Sequence, residues 1–476
     1  MVEIPHDGTP VALPPNVMTN RTLAEPPSAP NHFPDETLTV AAVLPRPQVR
    51  RWPWQEWTDR TWLRALFILA LVVRLGFVLL PPIWNRNLRW GDESNYDELA
   101  TTLLTNGYFG YGHSGPTVFR PPLYPALMAA MYAVFGHHFG PIYVLQALCG
   151  AASAPLLARI GQRITGSLAV GMVAGVLFTF TPLLVLMTAV LYMETVYLLL
   201  LLGAVLLWLH LIRAEGLPKN WPALAIASGL LFGVGLLMRP TFQAVVPFVF
   251  FVWAWATLRR ARPAALVTAI VTVSTFAVVL PWSARNARVP NGRGAFTLVS
   301  ANGGLNLYQG NNDHRDAAAG GAIDIGEYPA LPELNEARRD KVYQKWAVAW
   351  IKAHPGEFLR RAPVRVWRTF SPLETGNNGQ VRVSAAAALL AHVGAAMFYA
   401  VALVGLSLSV RRWRAWLLPY LLIGYVIALH AISYGNSRFS LLIQPFIMLF
   451  VADALVAGWQ RLRARRDVPA PKTVPS

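Results

Sequence analysis

Residues 191–212 read LYMETVYLLLLLGAVLLWLHLI. At the rise of an α-helix this run reaches about 33 Å, enough to cross the ~30 Å hydrocarbon core of a bilayer. Its one charged residue is Glu194, near the start. A carboxylate at the edge of hydrocarbon is costly unless a base, a metal or a ligand accompanies it, and an ion pair with a nearby arginine is the plainest arrangement. The stretch therefore predicts a membrane-spanning helix and a partnered acid at one end of it.

Working outward, nine more runs pass the same length test, at 61–80, 142–160, 167–187, 221–238, 242–258, 264–282, 385–410, 415–432 and 439–455. About ten spanning helices and an all-α polytopic membrane protein are expected. The composition agrees: of 476 residues, 54% are hydrophobic and 14% charged, too apolar for a water-soluble globule of this size. The formal charge of +17 does not call for nucleic acid. Lys and Arg of membrane proteins gather in cytoplasmic loops, and here they cluster at Arg46, Arg50 and Arg51, at Arg159 and Arg163, at Arg213 and Lys219, at Arg259, Arg260 and Arg262, at Arg411, Arg412 and Arg414, and at Arg461 to Arg466. The single cysteine, Cys149, lies in an apolar run and leaves no internal disulfide or thiolate metal cluster to consider. Residues 1–55, rich in Pro and polar side chains, read as a disordered cytoplasmic tail, and 460–476 as a basic one.

Placing every basic cluster on the cytoplasmic side fixes the alternation. The apolar segment 123–135 would break it by crossing, and it is short for a span, so it is assigned to the membrane surface. The map then divides the chain into a transmembrane module over 61–282 with an outer loop at 81–141, a larger extracytoplasmic loop over 283–384 with helices at 333–353 and 356–370, and C-terminal spanning helices over 385–459. Both termini fall in the cytoplasm. Asp92, Glu93, Arg120, Glu194, Arg239, Arg285 and Arg438 all fall on the outer side, which points to one shared site there.

Asp92 stands where a helical stripe of Tyr96, Leu99, Ala100 and Leu103 begins. It is placed either to cap that helix or to act as a general base at the membrane surface. Arg239, Arg285 and Arg438 lie at outer helix ends, where arginine commonly anchors in the interface but is also suited to forked hydrogen bonding of a phosphate. Cations stabilising a phosphate leaving group, with a base about one sugar ring away, would make a glycosyl-transfer site.

These residues come in a familiar order: Gly91-Asp92-Glu93 with Tyr96, then Phe119-Arg120-Pro121-Pro122-Leu123-Tyr124-Pro125, Glu194, Arg239-Pro240 and Arg285-Asn286. The run Ala301 to Tyr308, Gly310-Asn311-Asn312, His354 to Leu359, and Arg438 before an apolar segment with Pro445 follow. Together, over about 61–459, they resemble the polytopic C-type (GT-C) glycosyltransferases, in the bacterial branch similar to dolichyl-phosphate-mannose protein mannosyltransferases and the lipid A aminoarabinose transferase. The resemblance implies a GT-C fold whose first outer loop carries two surface helices and a catalytic Asp, here Asp92, with Glu93 as second acid and Glu194 as the acid of the second outer loop. It implies donor-phosphate contacts at Arg239, Arg285, Arg438 and Arg120, and donor or acceptor contacts at Tyr96, Asn302 and Asn306. No cofactor is required by it, although Asp92, Glu93 and Glu194 could ligate Mg²⁺ or Mn²⁺. The partners implied are a polyprenyl-phosphate-linked sugar, the bilayer, and an extracytoplasmic acceptor glycan, glycolipid or protein, at the plasma membrane.

Two other readings remain open. A flippase or transporter of lipid-linked sugar would show repeated halves and sites near the midplane, and no internal repeat is visible. A lipid-linked polysaccharide polymerase or ligase would take an oligosaccharide diphosphate, and the Asp92-Glu93 pair after the first span argues against it.

Overall fold

The computed structural model describes residues 58–84, 92–314, 317, 331–372 and 384–466. Both predicted tails therefore lie wholly or largely outside the described residues. In chain order the main helices are α1 Asp59–Val78, α2 Glu93–Asn106, α3 Leu123–Phe135, α4 Gly140–Thr165, α5 Leu168–Phe180, α6 Glu194–Leu211, α7 Trp221–Met238, α8 Phe251–Leu258 and α9 Ala261–Arg288. They continue with α10 Gly303–Gly310, α11 Glu336–Ala353, α12 Pro355–Phe370, α13 Ala385–Ser409, α14 Trp413–Ile432 and α15 Gln444–Arg466. The strands are β1 Gly110–Tyr111 and β2 Gly115–Pro116, an antiparallel pair two residues long. The chain is thus an all-α polytopic membrane protein.

Seven helical stretches among the described residues are long and apolar enough to cross a bilayer, and eight if Leu168–Phe180 and the Pro182–Ala189 segment, bent by 59°, form one span. One of the seven, Ala385–Ile432, is 48 residues long. It cannot be one rod, because Ser409 Oγ lies 2.5 Å from Tyr420 Oη. Eleven residues of continuous helix would separate their backbones by about 16 Å, so the chain turns at Val410–Arg412 and returns as α14. The predicted span 242–258 instead forms a short apolar segment, Val245–Leu258, whose first part is the π-helix Val245–Phe250. Length and composition alone therefore do not reach the expected count of ten.

The alternation argument can be checked on α1 and α4. Near the start of α1, Asp59 Oδ2 accepts from Arg159 Nη1 at 3.2 Å and Gln162 Nε2 at 2.8 Å, both near the end of α4. At the opposite end Trp84 packs onto Gly140, where a Cβ would stand 2.4 Å from the indole. The two helices are antiparallel, so the chain between them leaves and re-enters on one side. The 13-residue α3 is too short to cross, at about 20 Å against a hydrocarbon core of about 30 Å. It packs on α2 instead, where Tyr132 donates to Asp97 at 2.6 Å and Tyr96 meets Tyr124 edge to face at 5.5 Å.

The spanning helices pack through small residues, as helices in lipid must when hydrophobicity cannot drive their association. At the α4–α5 crossing a Cβ on Gly171 would fall 2.1 Å from the Ala158 carbonyl, so only glycine allows this approach. The bend after α5 has a similarly local origin. Pro182 has no N–H to give the Phe178 carbonyl one turn back. Arg74 of α1, fully buried, supplies the missing donor from Nη2 at 3.3 Å and lays its guanidinium over the Phe178 ring.

Candidate active site

Asp92 begins α2 but makes no side-chain cap bond. Its carboxylate is turned to arginines: Arg120 Nη2 is 2.5 Å from Oδ1 and Arg438 Nη1 is 3.0 Å from Oδ2. The capping account is not what the geometry shows. Burial by itself would raise the Asp92 carboxyl, but the two guanidinium groups outweigh it and hold the pKa at about 2. Asp92 is therefore ionised at neutral pH.

Glu194, the acid at the head of α6, is almost wholly buried. Its Oε1 accepts from Arg239 Nη1 at 2.6 Å and from Arg438 Nε, while Oε2 has no hydrogen-bond partner among the described residues. Arg239 ends α7 and lies over the Phe439 ring. Arg438 lies in the 3₁₀ turn Ser437–Leu442, whose start is capped by the Asn436 side chain. Four connecting segments thus converge on a chain of alternating charge, Arg120, Asp92, Arg438, Glu194, Arg239. Formally it holds three positive and two negative charges.

Tyr192 completes the cluster, and nothing in the sequence reading singled it out. The Arg438 guanidinium carbon lies 3.9 Å from the centre of its ring, and its hydroxyl accepts from the Asp92 amide at 3.4 Å. Its position two residues before Glu194 was the available signal. Asn95, one turn along α2 from Asp92, was also missed, and it lines the same cavity.

The remaining predicted residues fall into two groups. Tyr96, Asn302 and Asn306 line the cavity, although Tyr96 is 1% exposed and packed against Tyr124 and Tyr192. Glu93 and Arg285 do not line it. Glu93 is fully buried, and its Oε1 accepts the Leu191 amide at 2.8 Å, fastening the loop that carries Tyr192 and Glu194. Arg285, in the last turn of α9, spends its nitrogens on the Thr117 and Phe109 carbonyls at 2.5 and 2.7 Å and stacks on Trp282. With Glu336, which accepts from Thr117 and the Val118 amide, it anchors the loop leading to Arg120.

The cavity has a volume of about 1600 Å³. Its walls differ in chemistry. Phe77, Pro182, Leu183, Leu186 and Met187, at the ends of α1 and in the bent segment, make an apolar wall beside the spanning helices. Asn302, Asn306, Lys341 and Gln344, from α10 and α11, make a polar one. Asp92, Arg120, Arg239 and Arg438 also line it. Among the described residues no group of three or more His, Cys, Asp or Glu could hold a metal ion.

This architecture is shared. The archaeal oligosaccharyltransferase AglB from Archaeoglobus fulgidus, in complex with an inhibitory peptide and a dolichol-phosphate, superposes with a TM-score of 0.53 at 15% identity, over 88% of this chain and 53% of that one. The apo form of the A. fulgidus oligosaccharyltransferase gives a TM-score of 0.51 at 14% identity, over 89% and 53%. ArnT from Cupriavidus metallidurans bound to undecaprenyl phosphate gives 0.40 at 14% identity, over 87% and 82%. The chain has the membrane-embedded GT-C fold, and it spans about half the length of the archaeal enzyme it matches. More particularly, residues 119–282 match the family model of the dolichyl-phosphate-mannose-protein mannosyltransferases, a segment that includes Arg120, Glu194 and Arg239. No curated protein matches its sequence.

Proposed function

We propose that the chain is an inverting glycosyltransferase that moves a sugar from a polyprenyl-phosphate donor to an acceptor hydroxyl on the extracytoplasmic face of the plasma membrane, with Asp92 as general base. The observation that carries this reading is the convergence of an ionised carboxylate and three arginines on a cavity with one apolar wall beside the membrane helices. The apolar wall suits the prenyl chain. The net charge of +1 in the cluster suits a phosphodiester, which carries one negative charge. Arg239 and Arg438 are the groups nearest Glu194 and receive the phosphate, and no divalent ion is required for that task.

In the transfer the acceptor oxygen attacks the anomeric carbon on the face opposite the phosphate. The new C–O bond forms, the old C–O bond breaks with its electron pair going to the phosphate, and the acceptor proton passes to Asp92. Both Asp92 oxygens are held by guanidinium groups, so one contact has to open before the carboxylate can take a proton. The Arg438 contact is the longer, and Arg438 is the group an arriving phosphate competes for. Donor binding would therefore prepare the base, and the kinetics should be ordered with donor first.

The test is release of polyprenyl phosphate by the purified protein from a panel of polyprenyl-phosphate sugars, with host membrane extract as acceptor and with or without EDTA. Asp92→Asn should lose about a hundredfold or more in turnover and still bind donor. Equal activity of variant and wild type would remove Asp92 from the chemistry. Donor consumption by neither, with lipid-linked sugar crossing a vesicle bilayer, would make the protein a flippase.

A further inference from the structure

From the polar wall of the cavity we infer that the acceptor is a carbohydrate, docked against α10 and α11 by side-chain amides, with Asn95 completing the subsite next to Asp92. This rests on the glycosyltransferase reading and adds the acceptor class to it. Along α10, Asn302, Asn306 and Gln309 recur at helical spacing and share the cavity face. Along α11, Ala337, Asp340, Lys341 and Gln344 do the same. Two helices thus turn polar stripes towards the half-open cavity, with Asn302, Asn306 and Gln309 half-buried and Lys341 and Gln344 exposed at its mouth.

The wall is built to keep its shape. Asp340 Oδ1 accepts the Leu305 amide at 3.0 Å, tying α11 to the start of α10. At Gly304 a Cβ would lie 1.9 Å from the Asp340 carbonyl, so the helices touch where only glycine fits. Tyr308 stacks on Tyr343 at 5.5 Å and meets Trp346 at 5.8 Å, clamping the pair together. The carboxylate of Asp340 is thereby committed to the fold, while the amides of Asn95 and Asn306 bond no described residue and are available in the cavity.

Chemistry selects the ligand class. A carboxamide offers two donors and an acceptor oxygen with two lone pairs, the complement of vicinal hydroxyls that each donate and accept. A phosphorylated or acidic acceptor calls for several cations, and on this wall Lys341 is the one cation among the described residues, already donating to Gln344 at 3.2 Å. An extended peptide is usually held along a sheet edge, and the only described sheet, β1–β2, does not line the cavity.

The experiment is saturation-transfer NMR on the full-length protein in nanodiscs, with neutral trisaccharides of glucose, mannose and galactose as one set of probes and a threonine-containing hexapeptide as the other. At least one trisaccharide should show transfer. That transfer should fall about thirtyfold in Asn306→Ala/Gln344→Ala, as expected for the loss of two hydrogen bonds of about 1 kcal/mol each. Asn95→Asp, which keeps the shape and removes the amide donors, should weaken it as well and guards against loss of folding in the double variant. Transfer to the peptide and to none of the sugars, or sugar transfer untouched by both variants, overturns the inference. Undecaprenyl phosphate binding, followed by tryptophan quenching in the same samples, reports on the donor separately: sugars that bind without it would keep the acceptor subsite and sink the donor reading.

Discussion

Arg438 bridges Asp92 and Glu194, with Nη1 3.0 Å from Asp92 Oδ2 and Nε donating to Glu194 Oε1, while its guanidinium lies over the Tyr192 ring. One side chain thereby joins the start of α2, the head of α6 and the turn before α15. Replacing it by lysine keeps the charge but cannot keep both contacts, because an ammonium is a point charge without the planar fork. Arg438→Lys is expected to weaken undecaprenyl phosphate binding about tenfold and Arg438→Ala by more, read by titration of tryptophan fluorescence. Lysine matching arginine would show that only charge matters there.

The Asp92 carboxyl, held at about 2, makes a statement about pH. Its folded pKa lies below the unfolded value of 3.8, so the unfolded chain takes up the proton first as pH falls. The stability it contributes is complete above the unfolded value and is lost as pH drops from about 4 towards 2, and it amounts to about 2 kcal/mol at most, given its partial exposure. The melting temperatures of wild type and Asp92→Asn should differ at pH 6, draw closer by pH 3 and converge only towards pH 2. For the same reason kcat/KM should show no acid limb from Asp92 above about pH 4. A gap that persists unchanged to pH 3 would mean that the arginines do not hold this carboxylate down.

How much of this was legible in sequence depended on which physical signal each residue left. The spanning helices announce themselves by length and hydropathy, and the same measure leaves 123–135, a 13-residue helix, too short to count among them. The convergence of Asp92, Arg120, Glu194, Arg239 and Arg438 could be anticipated because polar residues at outer helix ends have few other places to meet. Arg285 shares that pattern, yet its nitrogens go to the Thr117 and Phe109 carbonyls. A linear pattern does not distinguish an arginine that faces a ligand from one that ties down a loop. Tyr192 was overlooked for the opposite reason: in an apolar run a tyrosine looks like packing, and only the approach of Arg438 gives it a role.

Glu93 tests that same distinction. Its carboxylate accepts the Leu191 amide at 2.8 Å and is fully enclosed. A glutamine can accept the same bond with its amide oxygen, whereas alanine leaves a buried N–H without that acceptor, at a cost of about 1–3 kcal/mol. Glu93→Gln is therefore expected to keep activity within about tenfold and Glu93→Ala to lower the melting temperature by several degrees. A loss in Glu93→Gln as deep as that of Asp92→Asn would assign Glu93 to the chemistry.

The bend at Pro182 and the buried Arg74 should be energetically coupled, because each accounts for the other. Arg74 donates to the Phe178 carbonyl at 3.3 Å, the group that Pro182 cannot serve. Arg74→Met removes that donor and should destabilise the protein and raise the KM for donor, since Pro182, Leu183 and Met187 line the apolar wall. Pro182→Ala restores a backbone N–H at the position that would serve the same carbonyl. In the Pro182→Ala background the penalty of Arg74→Met should shrink by about 1 kcal/mol, measured as a double-mutant cycle on thermal or denaturant unfolding in detergent. Strict additivity would mean that Arg74 is retained in α1 for something other than the broken turn.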